Sequence, residues 1–134
     1  MRSFLVEYPF LICVIVMITS EITKHLFTGF TSNIWFAHGG MPSSHSAFVT
    51  SLLIVVGTMT GMGSAEFAIA FVFAIIICYD AMHSRKEIGE QAVILNRLQK
   101  WKKLAVRVGH SGKEVLAGII FGAVVTGVGI WVSI

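Results

Sequence analysis

Apolar residues run along this chain in four long blocks, and the polar residues gather between them and at their ends. A helix that crosses about 30 Å of hydrocarbon needs roughly 20 mostly apolar residues. Four segments approach that length, at about 4–22, 46–62, 65–83 and 115–134. The first carries Glu7 and Pro9 near its start, where the interface solvates a carboxylate and a first-turn proline costs little. The second and third are separated only by the turn Gly61-Met62-Gly63-Ser64. In the fourth, Gly118 and Gly122 form a small-xxx-small pattern that lets another helix approach closely. The expected fold is all-α, an integral membrane four-helix bundle read as one membrane domain over 1–134.

Between the third and fourth blocks, Ala92, Val93, Leu95, Leu98, Trp101, Leu104 and Ala105 recur at helical spacing in the most charged stretch of the chain. This predicts an amphipathic helix over 84–108. Arg97, Lys100, Lys102, Lys103 and Arg107 beside Trp101 suit a helix lying in the headgroup plane, where cations meet anionic lipid. A solvated loop helix is the alternative. Gln91 and Asn96 read as its surface.

Composition supports lipid as the solvent: 55% of residues are hydrophobic, 13% are charged, and mean hydropathy is +0.82. The first apolar run ends in Thr23-Lys24 without a signal-peptide cleavage site, so it reads as a retained span. Cys13 and Cys78 lie within apolar runs, as small hydrophobes do, and two cysteines do not make a disulfide framework.

With four spans, the loops after the first and third lie on one side of the membrane. That side then holds His25, His38, His45, His83 and His110, together with eight of the ten Lys and Arg residues, all eight within 85–113. The positive-inside rule makes it the cytoplasmic face.

Three constellations on that face carry chemistry. The loop Gly39-Gly40-Met41-Pro42-Ser43-Ser44-His45-Ser46 opens directly into the second span; freed backbone N–H groups, a helix N-terminus and serine hydroxyls together suit an anion. The same residues also suit a plain capping loop, with Ser43 or Ser44 as N-cap. At the entrance to the fourth span, His110 and Glu114 stand four residues apart, on one helix face or across a first turn. A carboxylate there fixes an imidazole's tautomer and stabilises its cation, although a helix-start glutamate also simply favours the dipole. Third, Asp80 ends an apolar span, where an ionisable group is costly, and Arg85 and Lys86 follow. These cations either pair with Asp80 or clamp phosphate oxygens. Lys24 adds a further positive charge, or merely flanks the membrane.

Taken in order, Gly-Gly-Met-Pro-Ser-Ser-His-Ser-Ala at 39–47, Tyr79-Asp80-Ala81 with Arg85-Lys86 and Gly89-x-Gln91-Ala92-x-x-Leu95-Asn96, and Gly109-His110 with Glu114-Val115-Leu116 and Gly118, resemble the divergent branch of the type 2 phosphatidic acid phosphatase superfamily. The acid phosphatases and vanadium haloperoxidases are its relatives. The resemblance implies a phosphohistidine mechanism in which His110 is the nucleophile, Glu114 its orienter and His45 the general acid. It also implies that Ser43, Ser44 and Arg85 hold phosphate oxygens, with Lys24 as the lysine of the first motif. The chain departs from the superfamily pattern at Met41, where arginine is usual, at Ser44 in place of glycine, and at Glu114 in place of aspartate. Ser84-Arg85 also lies 25 residues before His110, where the superfamily places its Ser-Arg six before.

The expected function is thus a metal-independent membrane phosphatase acting on a lipid phosphate or isoprenoid diphosphate, with no cofactor and no nucleic-acid partner. From other classes come a noncatalytic module that binds anionic lipid or serves as a complex subunit, and a small carrier. The carrier ranks last because the polar residues cluster at one interface rather than at mid-membrane. The glycines of the fourth span would serve a homodimer or packing within one chain.

Overall fold

The computed structural model describes residues 7–28 and 40–133; His38, Gly39 and the first residues of the 4–22 segment lie outside the described residues. Among the described residues every regular element is a helix: α1 Phe10–Thr28, α2 Ser44–Thr60, α3 Ala65–Met82, α4 Ser84–Leu98 and α5 Gly112–Ser133. Three stretches among the described residues are long and apolar enough to cross a membrane, those of α1, of α3 continuing into α4, and of α5, while α2 is a shorter apolar helix. The protein is a helical membrane bundle.

Shorter α2 is the central element and packs against α1, α3 and α5. Small side chains make this close packing feasible, because helices in lipid associate through shape rather than through a hydrophobic drive. Ser46, Ala47 and Ser51 of α2 are fully buried. A β-carbon on Gly118 would collide with the Ser43 carbonyl, and one on Gly122 with the Ala47 backbone. The small-xxx-small pair therefore packs α5 onto α2 within one chain. Deeper in the bundle, Ile12 and Cys13 of α1 meet Val55 of α2, with Phe48, Leu52 and Ile130 against them.

Gly61 ends α2 with φ +84°, a conformation that favours glycine, and its N–H bonds to the Gly57 carbonyl at 3.1 Å. Ser64 then caps α3 by accepting from Phe67 N at 3.0 Å. α3 presents Ile69, Phe71, Val72, Phe73, Ile75 and Ile76 outward, as a lipid-facing helix does. It breaks at His83, whose ring stacks on Tyr79 with centroids 4.3 Å apart.

Two boundaries differ most from the sequence reading. α1 runs to Thr28 rather than ending near 22, because Leu26 and Phe27 extend the apolar face past Lys24; Lys24 thus lies inside the helix. The helix expected over 84–108 stops at Leu98. Asn96, expected on the helix surface, makes a reciprocal pair with the Leu104 backbone, donating from Nδ2 to O at 2.9 Å and accepting at Oδ1 from N at 2.8 Å. Gln99 does the same for Lys102, accepting from its N–H at 3.0 Å and donating to its carbonyl. Side chains that satisfy non-helical backbone in this way compete with helix continuation. Residues 99–111 form a strap that doubles back along α4. It passes so close at Gly89 that a β-carbon there would meet the Val106 carbonyl.

Candidate active site

One end of the bundle brings together the C-terminal turns of α1, the N-terminus of α2, the end of α3, the strap and the N-terminus of α5. The strap delivers His110, whose N–H donates to the Ala81 carbonyl at 2.9 Å. Ser111 and Glu114 then start α5 as a capping box: Glu114 N donates to Ser111 Oγ at 3.3 Å, and Ser111 N donates to Glu114 Oε2 at 2.7 Å.

That carboxylate is the hub of the site. Its Oε1 accepts from Gly40 N at 3.2 Å and from Arg107 Nη2 at 3.1 Å, and its Oε2 stands 3.5 Å from His110 Nδ1. The last distance is within ion-pair range but long for a formed hydrogen bond, the kind of spacing that tightens when a substrate binds. Ser43 N donates to the Glu114 carbonyl at 3.1 Å, a second tie to the 40–43 loop. The expected His110–Glu114 pair thus exists, across a first turn rather than along a helix face.

The His110 side chain is only 7% exposed. Burial holds its pKa below the ordinary histidine value, and the positive charges of Lys24 and His45 push the same way, while Glu114 opposes them. The imidazole is therefore neutral at neutral pH. With Nδ1 turned to Glu114, Nε2 is the nitrogen left to react.

Across the site, Glu21 gathers a second cluster. Ser44 Oγ donates to it, Lys24 Nζ lies 2.9 Å from Oε2, and His25 Nε2 lies 3.8 Å away. Lys24 and His25 are buried, at 7% and 8% exposure. His45 projects from the first turn of α2, more exposed, within electrostatic reach of Arg85, Glu21, Lys24 and Asp80. Arg85 Nε donates to Asp80 Oδ2 at 3.0 Å, so of the two arrangements open to these residues the structure holds the ion pair.

The structure therefore brings His45, His110, Glu114, Ser44, Lys24, Asp80 and Arg85 to one end. Two further candidates have their side chains engaged outside this cluster. Ser43 is wholly buried and its hydroxyl accepts from Ser46 Oγ at 3.0 Å, which occupies it in packing. Lys86 is exposed and pairs with Glu90 at 3.8 Å; with Arg107 and His110 it lines a cavity of about 650 Å³ between α4 and the strap. Two residues of the site escape a reading of the sequence. Glu21 carries the signal of an ionisable residue inside a span, three residues before a lysine, and Arg107 is one among many interfacial cations there. Among the described residues, no group of three or more His, Cys, Asp or Glu converges as metal ligands do.

A family model described as the divergent PAP2 family matches residues 5–125, which include every residue of this cluster. The chain belongs to the divergent PAP2 family. A relative, the uncharacterised membrane protein YuiD of Bacillus subtilis (strain 168), is 37% identical over 108 residues, covering 66% of this chain and 68% of that one. No solved structure matches. In this divergent PAP2 protein Met41 is half exposed on the site's loop, and the guanidinium bonded to Glu114 is that of Arg107.

Proposed function

We propose that the protein is a lipid phosphatase of the PAP2 type, hydrolysing a lipid phosphate or isoprenoid diphosphate without a metal, through a phosphohistidine. His110 Nε2 attacks phosphorus, the bond from phosphorus to the leaving oxygen breaks, and His45 supplies that oxygen with a proton. Water then attacks the phosphohistidine, giving its proton to His45 and releasing phosphate and free His110. Glu114 holds the Nδ1 side of the ring and stabilises the cation formed there. Lys24, Ser44, Arg85 and Arg107 surround the phosphate and its developing charge.

The observation that carries this reading is the Glu114 carboxylate. It faces His110 Nδ1 and also fastens the Gly40 loop that leads to His45, so one group sets the distance between nucleophile and acid. A lipid substrate follows from the setting, since the site lies at the end of a membrane bundle where a tail stays in hydrocarbon. The positive-inside rule favours the cytoplasmic face and hence a substrate of the inner leaflet.

The test is phosphate release by purified protein from a panel of lipid monophosphates and isoprenoid diphosphates, with chelator present. Release is expected from wild type and lost in both His110→Ala and His45→Ala. Unchanged release in either variant would remove the two-histidine mechanism. A second reading, a noncatalytic module binding anionic headgroups, draws support from Met41 standing where the superfamily has arginine; it expects lipid binding without turnover.

A further inference from the structure

A groove of about 520 Å³ runs between α1 and α5, lined by Thr23, Phe27, Met41, Pro42 and, along α5, Ala117, Ile120, Phe121 and Val124. Its size is that of a small-molecule site, roughly 300–1,000 Å³. Among the described residues its lining offers a ligand almost no polar group. Thr23 is the one polar side chain among them, and that hydroxyl donates to the Thr19 carbonyl at 2.8 Å on its own helix. A headgroup, a peptide or a sugar would find no partner in this lining.

The groove's lining adjoins residues of the candidate active site along the chain at three points. Met41-Pro42 form its wall and lead directly into Ser43-Ser44-His45. Thr23 precedes Lys24, and Ala117 lies one helical turn beyond Glu114. From there the α5 lining extends to Val124, seven residues further, about 10 Å at 1.5 Å per residue. The face of α5 that carries Gly118 and Gly122 is occupied by α2, which leaves the neighbouring face, with Ile120 and Val124 exposed, to line the groove.

We propose that this groove is the binding site for the hydrocarbon tail of the phosphate-bearing lipid, seating the first part of the tail so that its phosphate meets His110. The assignment rests on the lipid phosphatase reading and adds to it where the tail goes. A tail drawn from the bilayer leaves one hydrocarbon environment for another, so the groove contributes little affinity. It contributes orientation, which is where a fixed geometry raises the rate.

Two measurements separate this proposal from the reading it rests on. The first needs no turnover. Protein in nanodiscs is photolabelled with a lipid phosphate bearing a diazirine near the start of its tail, and with the matching phosphate-free diacylglycerol probe. Labelling at Phe121, Ile120, Val124 and Phe27 is expected to exceed that of the phosphate-free probe at least fivefold. Equal labelling by both probes, or labelling spread over the outer face of α3, overturns the groove whether or not the protein hydrolyses anything.

The second compares kcat/KM for a long-tail lipid phosphate with that for a short water-soluble phosphate ester. Ala117→Phe, which fills the groove, is expected to lower the long-to-short ratio at least tenfold, and Phe121→Ala, which widens it, to shift preference toward branched tails. Ratios unchanged in both variants overturn the proposal, whereas absence of hydrolysis in wild type with phosphate-dependent labelling intact overturns only the phosphatase reading.

Discussion

The Arg107 guanidinium sits 3.1 Å from Glu114, the carboxylate that also faces His110. Arg107 is 77% exposed on its side chain, so this pair adds little to stability, and in the proposed mechanism its place beside Glu114 gives it another use. With Met41 at the superfamily's usual arginine position, Arg107 is a guanidinium that the proposed mechanism can set against a phosphate oxygen. Arg107→Gln is expected to lower kcat/KM by roughly tenfold to a hundredfold, the worth of about one charge-assisted hydrogen bond. Its melting temperature should stay within about a degree of wild type. Activity unchanged by this substitution would assign the role elsewhere.

The burial of His110 predicts a pH profile. Only the neutral ring attacks, and its pKa lies below the ordinary value near 6.5. The acid-side limb of the rate profile should therefore rise with pH through a midpoint below 6.5, before loss of the proton that His45 must donate turns the rate down again. Lys24 contributes to this lowering, so Lys24→Met should move the midpoint upward, toward 6.5, while also weakening substrate binding. A midpoint that moves downward in Lys24→Met would contradict the placement of Lys24 beside His110.

Gly118 is where α5 meets the Ser43 carbonyl. Gly118→Leu is expected to force the two helices apart and to cost about 1–3 kcal/mol, the usual range for overpacking, read as a lowered melting temperature in detergent. A β-carbon on Gly127 would meet nothing within 4 Å, and Gly127→Ala should be neutral or slightly stabilising.

The strap offers a different kind of test. Asn96→Ala removes two hydrogen bonds to Leu104, together worth about 1–3 kcal/mol. Because the strap carries His110, hydrogen exchange across 99–108 should accelerate and hydrolysis should fall. Asn96→Asp keeps the acceptor for Leu104 N and loses the donor to Leu104 O, so it should fall between Ala and wild type.

Much of this site is legible in the sequence. Hydrophobic block lengths locate the spans, and His45, His110 and Glu114 fall at the loop-to-helix junctions where the structure places them. What spacing does not disclose is which side chains commit their polar groups to the backbone. Trp101, Leu104 and Ala105 continue a helical apolar rhythm, and the reciprocal contacts of Asn96 and Gln99 turn that stretch into a strap. Nor does spacing show that Glu21 gathers Lys24, His25 and Ser44, since the last comes from a different helix. Ser43 illustrates the converse: a hydroxyl in the right motif whose partner, Ser46, lies one turn on and keeps it in the packing.

The carboxylate of Glu114 has a bearing on how the protein is made. Gly40 precedes it by 74 residues, so the loop leading to His45 lacks this anchor until α5 has entered the membrane and docked against α2. A chain with only α1 to α4 in place thus carries His45, Lys24 and Arg85 but no assembled cluster. The cluster at this end of the bundle is a product of complete assembly, and a truncation before α5 would take with it both His110 and the carboxylate that fastens the Gly40 loop.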